Sequence, residues 1–200
     1  MPGSKSFSLI IKILFGIFLF LATGVFLFFS ITTAVTKNTD SYEYELPFKK
    51  GEEYRVSQGY GGLFTHRNIA AIDFAMPAGT PVCAAREGTV HSYKSDSDEG
   101  GISSKYKNKS NYVIIKHDDG SFGCYWHLQK DAVFVKRGRI QKGQQIGLSG
   151  ATGQVLRPHL HFSVKSKLTY DKDSFRKTKF KTTIGTIFLK QGTTYKRPAD

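Results

Sequence analysis

Cysteine is scarce in this chain of 200 residues, with Cys83 and Cys124 as the two examples. Their spacing matches neither a C-x-x-C motif nor a zinc knuckle, which argues against a redox pair of that type and against a Cys-rich structural metal site. Two interpretations stay open. In an exported protein the pair could form a disulfide if the two Cβ atoms come within about 4 Å. Otherwise both are buried or half-buried thiols.

Acidic residues are also few, because 16 Asp and Glu stand against 29 Lys and Arg, for a formal net charge of +13. All but two of the basic residues lie from Lys37 onward. A strongly basic surface suits an anionic partner, such as nucleic acid, a membrane surface or a wall polymer bearing carboxylates or phosphates. The alternative is that the charge serves solubility alone.

Charge is absent from residues 13–36, a run dense in Phe, Leu and Ile. About 20 apolar residues in a helix cross a hydrocarbon core of about 30 Å. Secretory signals have a shorter apolar region, and here the best cleavage-site pattern, Thr32-Thr33-Ala34, follows too long a run. The sequence therefore predicts an uncleaved transmembrane signal anchor at 13–36, with a cleaved signal peptide as the alternative. Lys5 and Lys12 place residues 1–12 in the cytoplasm, and the rest of the chain then lies outside that membrane.

Downstream of the apolar run, no stretch shows a convincing 3.6-residue apolar period. Residues 37–54 are polar and charged, are broken by Pro47, and are predicted to form a tether. From Arg55 onward, short β-type runs alternate with turn residues, which predicts a mainly β domain over 55–200. Ser95–Ser110 is a polar interruption that either lines a cleft or is a solvated excursion. The predicted strands are Ala71–Ala75, Pro81–Ala85, Gly88–Tyr93, Tyr112–His117, Ser121–His127, Ala132–Val135, Gln145–Leu148, His159–Lys165 and Thr183–Leu189.

The stretch Pro158-His159-Leu160-His161-Phe162 combines a strand pattern with two imidazoles. Successive side chains of a strand point to opposite faces, so His159 and His161 share one face, about 6 to 7 Å apart. Leu160 and Phe162 then face a core. Two imidazoles on one face suit a metal site, because His is the commonest metal ligand and also carries protons near neutral pH.

His66 and Asp73 are separated by a spacing that fits no single helix face, which predicts a loop residue beside a strand residue. Asp73 lies between the apolar Ile72 and Phe74. Strand alternation therefore directs its carboxylate to the same cleft as His66. The alternative is a hydrogen-bonded structural carboxylate.

The segment Tyr125-Trp126-His127-Leu128 repeats the alternation, which predicts Tyr125 and His127 on one face and Trp126 on the other. His91 and His117 lie outside these motifs and are predicted to be ordinary surface or half-buried residues.

The ordered set of motifs is specific: His, then Asp, G-T-P-V-x-A-A-R-x-G-x-V, Y-x-H-L, G-x-x-x-G with S-G-x-T-G, and P-H-L-H-F. This order resembles the lysostaphin-type, or LytM-type, zinc metallopeptidases, which cut peptidoglycan cross-links. The resemblance covers about Val56–Val164 and implies an antiparallel-sheet, lysostaphin-like fold.

In that family the first His, the Asp and the second His of H-x-H hold the zinc. The resemblance therefore implies His66, Asp73 and His161 as ligands of one zinc ion per chain, and His127 and His159 as catalytic histidines. Two His and one carboxylate also match the open type of zinc site, which keeps a position for water. No H-E-x-x-H motif supplies a base, so His127 and His159 are the candidates for proton transfer, and the division of roles between them stays open.

Two features depart from the family pattern. Six residues separate His66 from Asp73, where three are commonest, and Gln154–Arg157 replaces the small residues usual before Pro-His-Leu-His. Arg157 either reaches a substrate carboxylate or is a solvated turn residue.

Together these features predict a membrane-anchored zinc endopeptidase that hydrolyses peptide cross-links or stem peptides of bacterial peptidoglycan. Its domains would be a cytoplasmic N-terminus at 1–12, the anchor at 13–36, the tether at 37–54 and a zinc metallopeptidase domain at 55–200, in the periplasm or extracytoplasmic space. Its partners would be peptidoglycan and the cytoplasmic membrane, with any protein regulator unidentified.

A rival of another class is a non-catalytic wall-binding or regulatory module that activates other wall hydrolases. Retention of all five polar positions argues against it. Export and the placement of the aromatic residues argue against a nucleic-acid-binding β-domain.

Overall fold

A computed structural model of the protein describes Phe18, residues 38–62 and residues 65–199. The chain divides into two compact units, Met1–Thr39 and Asp40–Asp200. Apart from Phe18, the predicted anchor at 13–36 lies outside the described residues. Among the residues that are described, no helix has the length and apolar character that a membrane crossing needs.

The described part of the second unit is built from short strands and two 3-10 turns, Ser104–Tyr106 and Lys172–Ser174. The strands are β1 (Thr39–Glu45), β2 (Glu53–Gln58), β3 (Ala71–Phe74), β4 (Pro81–Cys83), β5 (Gly88–Lys94), β6 (Gly100–Gly101), β7 (Asn111–Lys116), β8 (Phe122–Val133), β9 (Arg139–Ile140), β10 (Gln145–Ser149), β11 (Gly153–Gln154), β12 (Leu160–Lys165), β13 (Phe175–Thr182), β14 (Gly185–Ile187) and β15 (Thr194–Lys196).

One large sheet organises the unit, with the strand order β15-β2-β3-β12-β8-β7-β5-β9 along its main path. The neighbours along this path pair antiparallel. Strands β13 and β10 lie off this path: β13 pairs with β12, and β10 pairs with β8. A separate parallel pair joins β6 to β11. The predicted mainly β, antiparallel architecture is confirmed.

The hydrophobic core lies on one face of the central strands. Phe74 of β3, Tyr125 of β8 and Leu160 and Phe162 of β12 are almost wholly buried. The rings of Tyr125 and Phe162 meet edge to face, with centroids 5.1 Å apart. Each such side chain contributes about 1.5 to 3 kcal/mol by its burial, so this face supplies much of the stability of the fold.

The stretch predicted as a tether differs in the structure. Residues 39–45 form β1, and Tyr44, Leu46 and Phe48 are fully buried in the core. These apolar residues alternate with Glu45 and Pro47, which is the period of a half-buried strand. The high polar content of 37–54 concealed this alternation, and the folded unit therefore begins well before the predicted boundary at 55.

Other differences are local. Most of Ser121–His127 and the first two residues of Ala132–Val135, predicted as separate strands, belong to the single long strand β8, and β13 was not predicted. Cys83 and Cys124 are both buried and free, as one of the two interpretations held.

Candidate active site

One row of side chains crosses four adjacent strands on the face opposite the core. Asp73 of β3 pairs with His161 of β12, His161 also pairs with Trp126 of β8, and Trp126 pairs with Tyr112 of β7. Residues directly opposite each other in a sheet project from the same face. The row therefore brings a carboxylate, an imidazole and two aromatic rings together from distant parts of the chain.

A tight polar cluster lies at the Asp73 end of this row. Asp73 Oδ1 is 2.9 Å from His161 Nδ1 and 3.1 Å from His66 Nε2. The two imidazole nitrogens are themselves 3.2 Å apart. One ligand atom from each residue lies within 4.8 Å of the other two. A single ion could therefore contact all three residues.

The protonation of His66 shows what this cluster can hold. Its Nδ1 lies 3.1 Å from the carbonyl oxygen of Gly59, an acceptor, so Nδ1 carries the proton. In the neutral ring, Nε2 then presents a lone pair to Asp73 Oδ1. The lone pairs of His66 Nε2 and Asp73 Oδ1 repel each other unless a cation lies between them. Two imidazole nitrogens and one carboxylate oxygen are also the donor set of open zinc sites, so the residues fit a metal ion.

Electrostatics favour the forms that bind metal. Burial raises the pKa of Asp73, but the adjacent imidazoles of His161 and His66 outweigh it and hold that pKa well below its usual range. Burial lowers the pKa of His161, against the opposing effect of Asp73. Near neutral pH the carboxylate is therefore ionised and this imidazole neutral, which are the states that metal ligands require.

Gln58, at the end of β2, supports the cluster from behind. Its Nε2 donates to Asp73 Oδ2 at 3.1 Å and to Thr65 Oγ1 at 2.6 Å, and its Oε1 accepts from the Thr65 amide at 3.2 Å. Gln58 thus ties Asp73 to the residue that precedes His66. Sequence reasoning missed this role, although Gln58 follows the core residue Val56 by two positions in a strand-like run.

His127 reaches the site through a β-bulge. Asn111 pairs with Leu128 and Tyr112 with Trp126, which leaves His127 as an extra residue on β8. Its φ of 66° is uncommon for a residue other than glycine. A bulge redirects a side chain. The predicted pairing of Tyr125 with His127 on one face is therefore wrong: Tyr125 lies in the core, and Trp126 shares the site face with His161.

His127 and His159 stand side by side next to the cluster, with ring centroids 4.7 Å apart. His127 Nδ1 donates to the carbonyl of Thr152 at 2.7 Å, and His159 Nδ1 donates to the carbonyl of Arg157 at 2.9 Å. Both rings therefore keep Nε2 available. His159 Nε2 lies 3.7 Å from Asp73 Oδ1. Burial, with His159 and His161 nearby, lowers the pKa of His127 to about 3, so this imidazole is neutral near neutral pH.

The bulge is held by buried polar residues. The Asn111 side chain donates from Nδ2 to the carbonyl of Leu128 at 3.3 Å, and the Asn111 backbone N–H donates to Thr152 Oγ1 at 2.9 Å. Gly153 has a φ of 86°, and a Cβ there would collide with Ser110 Oγ. The S-G-x-T-G motif therefore shapes the backbone that orients His127. Nothing in the sequence marked Asn111 or Ser110, because both lie far from the motif along the chain.

The family profile described as Peptidase family M23 matches residues 67–173, more than half of the chain. The protein belongs to peptidase family M23. The match begins directly after His66 and includes Asp73, His127, His159 and His161. This confirms the family that the ordered motifs resemble.

Two curated relatives are named as endopeptidases. The chain is 41% identical over 136 residues to peptidoglycan DD-endopeptidase ShyA of Vibrio cholerae, covering 64% of this chain and 29% of ShyA. It is 35% identical over 116 residues to DD-carboxypeptidase/endopeptidase Mpg of Neisseria meningitidis, covering 56% of this chain and 24% of Mpg. The chain thus spans less than a third of either relative.

A solved structure is also similar. The catalytic domain of lysostaphin from Staphylococcus simulans is 26% identical, with a TM-score of 0.44 over 62% of this chain and 86% of that domain.

Three other residues singled out in the sequence lie outside the cluster of His66, Asp73 and His161. Arg157 is exposed, and its carbonyl orients His159. His91 is exposed at the surface. His117 is only 2% exposed, so its prediction as a surface or half-buried residue is wrong. Its Nδ1 donates to the carbonyl of Glu87 at 2.6 Å, which draws the ring inward.

Proposed function

We propose that this M23 domain is a zinc-dependent endopeptidase that hydrolyses amide bonds in the peptide part of bacterial peptidoglycan. The observation that carries the proposal is the convergence of His66 Nε2, Asp73 Oδ1 and His161 Nδ1 beside two histidines that keep Nε2 available. The name of ShyA, a peptidoglycan DD-endopeptidase, supports peptidoglycan as the substrate. The basic charge of the chain suits stem peptides, which carry free carboxylates.

His66, Asp73 and His161 would hold one zinc ion per chain. When bound, zinc supplies Lewis-acid chemistry that polarises a carbonyl and acidifies water. The protein contributes the geometry, because the Gly59 carbonyl orients His66 and Gln58 orients Asp73. Such supporting hydrogen bonds fix the ring orientation and the tautomer of metal ligands.

His127 and His159 would move the protons. In either ring Nε2 can accept a proton from the attacking water, and the Nδ1–H bond to a carbonyl strengthens when the ring becomes imidazolium. Because the two rings lie 4.7 Å apart, charge on one disfavours charge on the other. The pair would therefore hold one proton at a time, taken from water and delivered to the leaving amine.

We further propose that residues 13–36 anchor the protein in the cytoplasmic membrane, with the M23 domain in the periplasm or extracytoplasmic space. The charge-free apolar run and the preceding Lys5 and Lys12 support this orientation. The test is cell fractionation with protease added from outside the membrane. Recovery of the full-length chain in the membrane fraction, with its C-terminal domain cleaved by that protease, is expected. A shortened soluble chain would point instead to a cleaved signal peptide.

The proposed activity is tested on the full-length chain by metal analysis and by release of new amino groups from purified peptidoglycan. The wild-type protein is expected to bind about one zinc and to release amino groups. His161→Ala should lose the zinc, whereas His159→Ala should keep zinc and lose cleavage. A wild-type protein that binds no zinc and releases nothing, but sediments with the wall, would instead be a binding module.

A further inference from the structure

Two aromatic residues continue the row that contains the candidate ligands. Trp126 is directly opposite His161, and Tyr112 is directly opposite Trp126. Neighbouring strands lie about 4.8 Å apart. The backbone of Trp126 is therefore one strand spacing from His161, and that of Tyr112 is two. Trp126 also directly precedes His127, so it adjoins a candidate ligand across the sheet and a candidate proton carrier along the chain.

The two rings form a defined surface. Their centroids are 4.7 Å apart with an interplanar angle of 43°, and both residues are half-buried. Contact between the rings restricts the rotamers of both, while part of each residue remains exposed to solvent. Within the described residues, neither the Trp126 indole N–H nor the Tyr112 hydroxyl has a hydrogen-bond partner in the protein. The pair is thus an apolar surface with two polar groups left for a ligand.

We propose that Tyr112 and Trp126 form a platform that positions the aliphatic side chain of a stem-peptide residue next to the scissile bond. This inference rests on the proposed function. An aromatic face binds CH-rich groups by burial and dispersion, and the methylene chain of a diamino acid is such a group. The platform would act as a positioning element and takes no part in proton transfer.

The distance between the Tyr112–Trp126 pair and His161 indicates that the platform contacts the peptide part of the substrate and not its sugars. An extended peptide advances about 3.3 to 3.6 Å per residue. A platform about 5 to 10 Å from His161 is therefore reached by the residue beside the scissile bond or by the next one. The glycan strand is joined to the far end of the stem peptide, several residues away, and would lie beyond Tyr112.

Binding at this surface can be observed directly, because Trp126 is the single tryptophan of the chain. The full-length chain with His159→Ala, which should not turn over substrate, is titrated with a cross-linked muropeptide dimer while its tryptophan fluorescence is recorded. The same titration is repeated with the dimer freed of its sugars. We expect a saturable change of similar size with both ligands. A response limited to the sugar-bearing dimer, or none while calorimetry shows binding, would overturn the platform.

Kinetics on the otherwise wild-type chain provide the second test. Trp126→Ala is expected to raise KM about 10- to 100-fold, as for loss of two or three buried methylene contacts, with kcat within about threefold. Trp126→Phe should restore most of the affinity. Tyr170→Ala, which removes an 87% exposed tyrosine, is the matched control and should leave KM unchanged. Zinc content should be the same in all four proteins.

The outcomes separate the two proposals. If the wild-type chain cleaves the dimer and Trp126→Ala keeps the wild-type KM, the platform is wrong and the endopeptidase stands. If the wild-type chain neither binds nor cleaves the dimer, the proposed function fails, and the platform fails with it.

Discussion

Strands β3, β8 and β12 each have one face in the hydrophobic core and the other at the candidate active site. Successive residues of each strand alternate between these two faces. On one face Phe74, Tyr125 and Phe162 are packed into the core. On the other, Asp73, Trp126 and His161 line the site. The core face is stabilised by burial, which depends on volume and tolerates similar shapes. The site face depends on particular atoms at particular distances, so it should lose function long before it loses the fold.

The site face is also costly to build. His66 is 0% exposed and Asp73 is 7% exposed, and buried polar groups cost free energy unless they are hydrogen-bonded. Gln58 and the carbonyls of Gly59, Arg157 and Thr152 meet this requirement. Burial of apolar side chains on the core face offsets the remaining cost. Mutations on the core face should therefore change mainly stability, and mutations on the site face mainly zinc binding.

The largest effect is expected on the site face. His161→Ala should weaken zinc binding by more than about a hundredfold, beyond the 10- to 100-fold loss typical when a partner that orients a ligand is removed. Urea unfolding in chelator should change little, because the half-buried imidazole contributes little to packing. Zinc titration against a competing chelator measures the first effect. A variant that retains zinc at wild-type affinity would remove His161 from the ligand set.

The core face should respond in the opposite way. Phe162→Ala, one residue away, is expected to lower the free energy of unfolding by about 3 to 5 kcal/mol, because it leaves a cavity among Tyr44, Tyr125 and Phe180. The folded fraction should still bind one zinc. Phe188→Ala is the control, since Phe188 is 38% exposed, and it should cost much less. A loss of zinc affinity in folded Phe162→Ala would show that the two faces are coupled.

A smaller effect is expected behind the site face. Gln58→Ala removes the hydrogen bonds to Asp73 and Thr65 and should weaken zinc binding about 10- to 100-fold. Gln141→Ala, at an exposed position, is the matched control. Chelator competition compares the three proteins. Equal affinities would mean that His66 and Asp73 are held in place without Gln58.

The smallest effect concerns a buried imidazole outside both faces. Burial lowers the pKa of His117 below its ordinary 6.5, and its Nε2 is buried without a partner among the described residues. Below about pH 6.5, His117 is protonated in the unfolded chain but stays neutral in the folded chain. The free energy of unfolding should therefore fall as the pH drops from about 6.5 towards the folded-state pKa of His117. His117→Asn, which can still donate to the Glu87 carbonyl, should reduce this slope. Urea unfolding from pH 8 to pH 5 in chelator measures it, and an unchanged slope would exclude His117 as the cause.

Sequence reasoning succeeded where a local period governs the structure. The alternation in Pro158–Phe162 placed Leu160 and Phe162 in the core and His161 on the other face, as the register with Asp73 shows. It failed at His127, because a bulge is an exception to the period, and its cause lies in Asn111 and Thr152 elsewhere in the chain. It failed at 37–54, because charged residues concealed the alternation of Tyr44, Leu46 and Phe48.

The sequence by itself determined the β-rich class of the domain, the M23 motifs and the residue types of the candidate site, because strand alternation and ordered motifs are local properties of a chain. Tertiary structure alone decided the distances among His66, Asp73 and His161, the role of Gln58, and the alignment of Trp126 and Tyr112 with the cluster. These contacts join residues up to 95 positions apart, and their distances follow from strand order and register. Register is set by the packing of the whole sheet, which no short stretch of sequence contains.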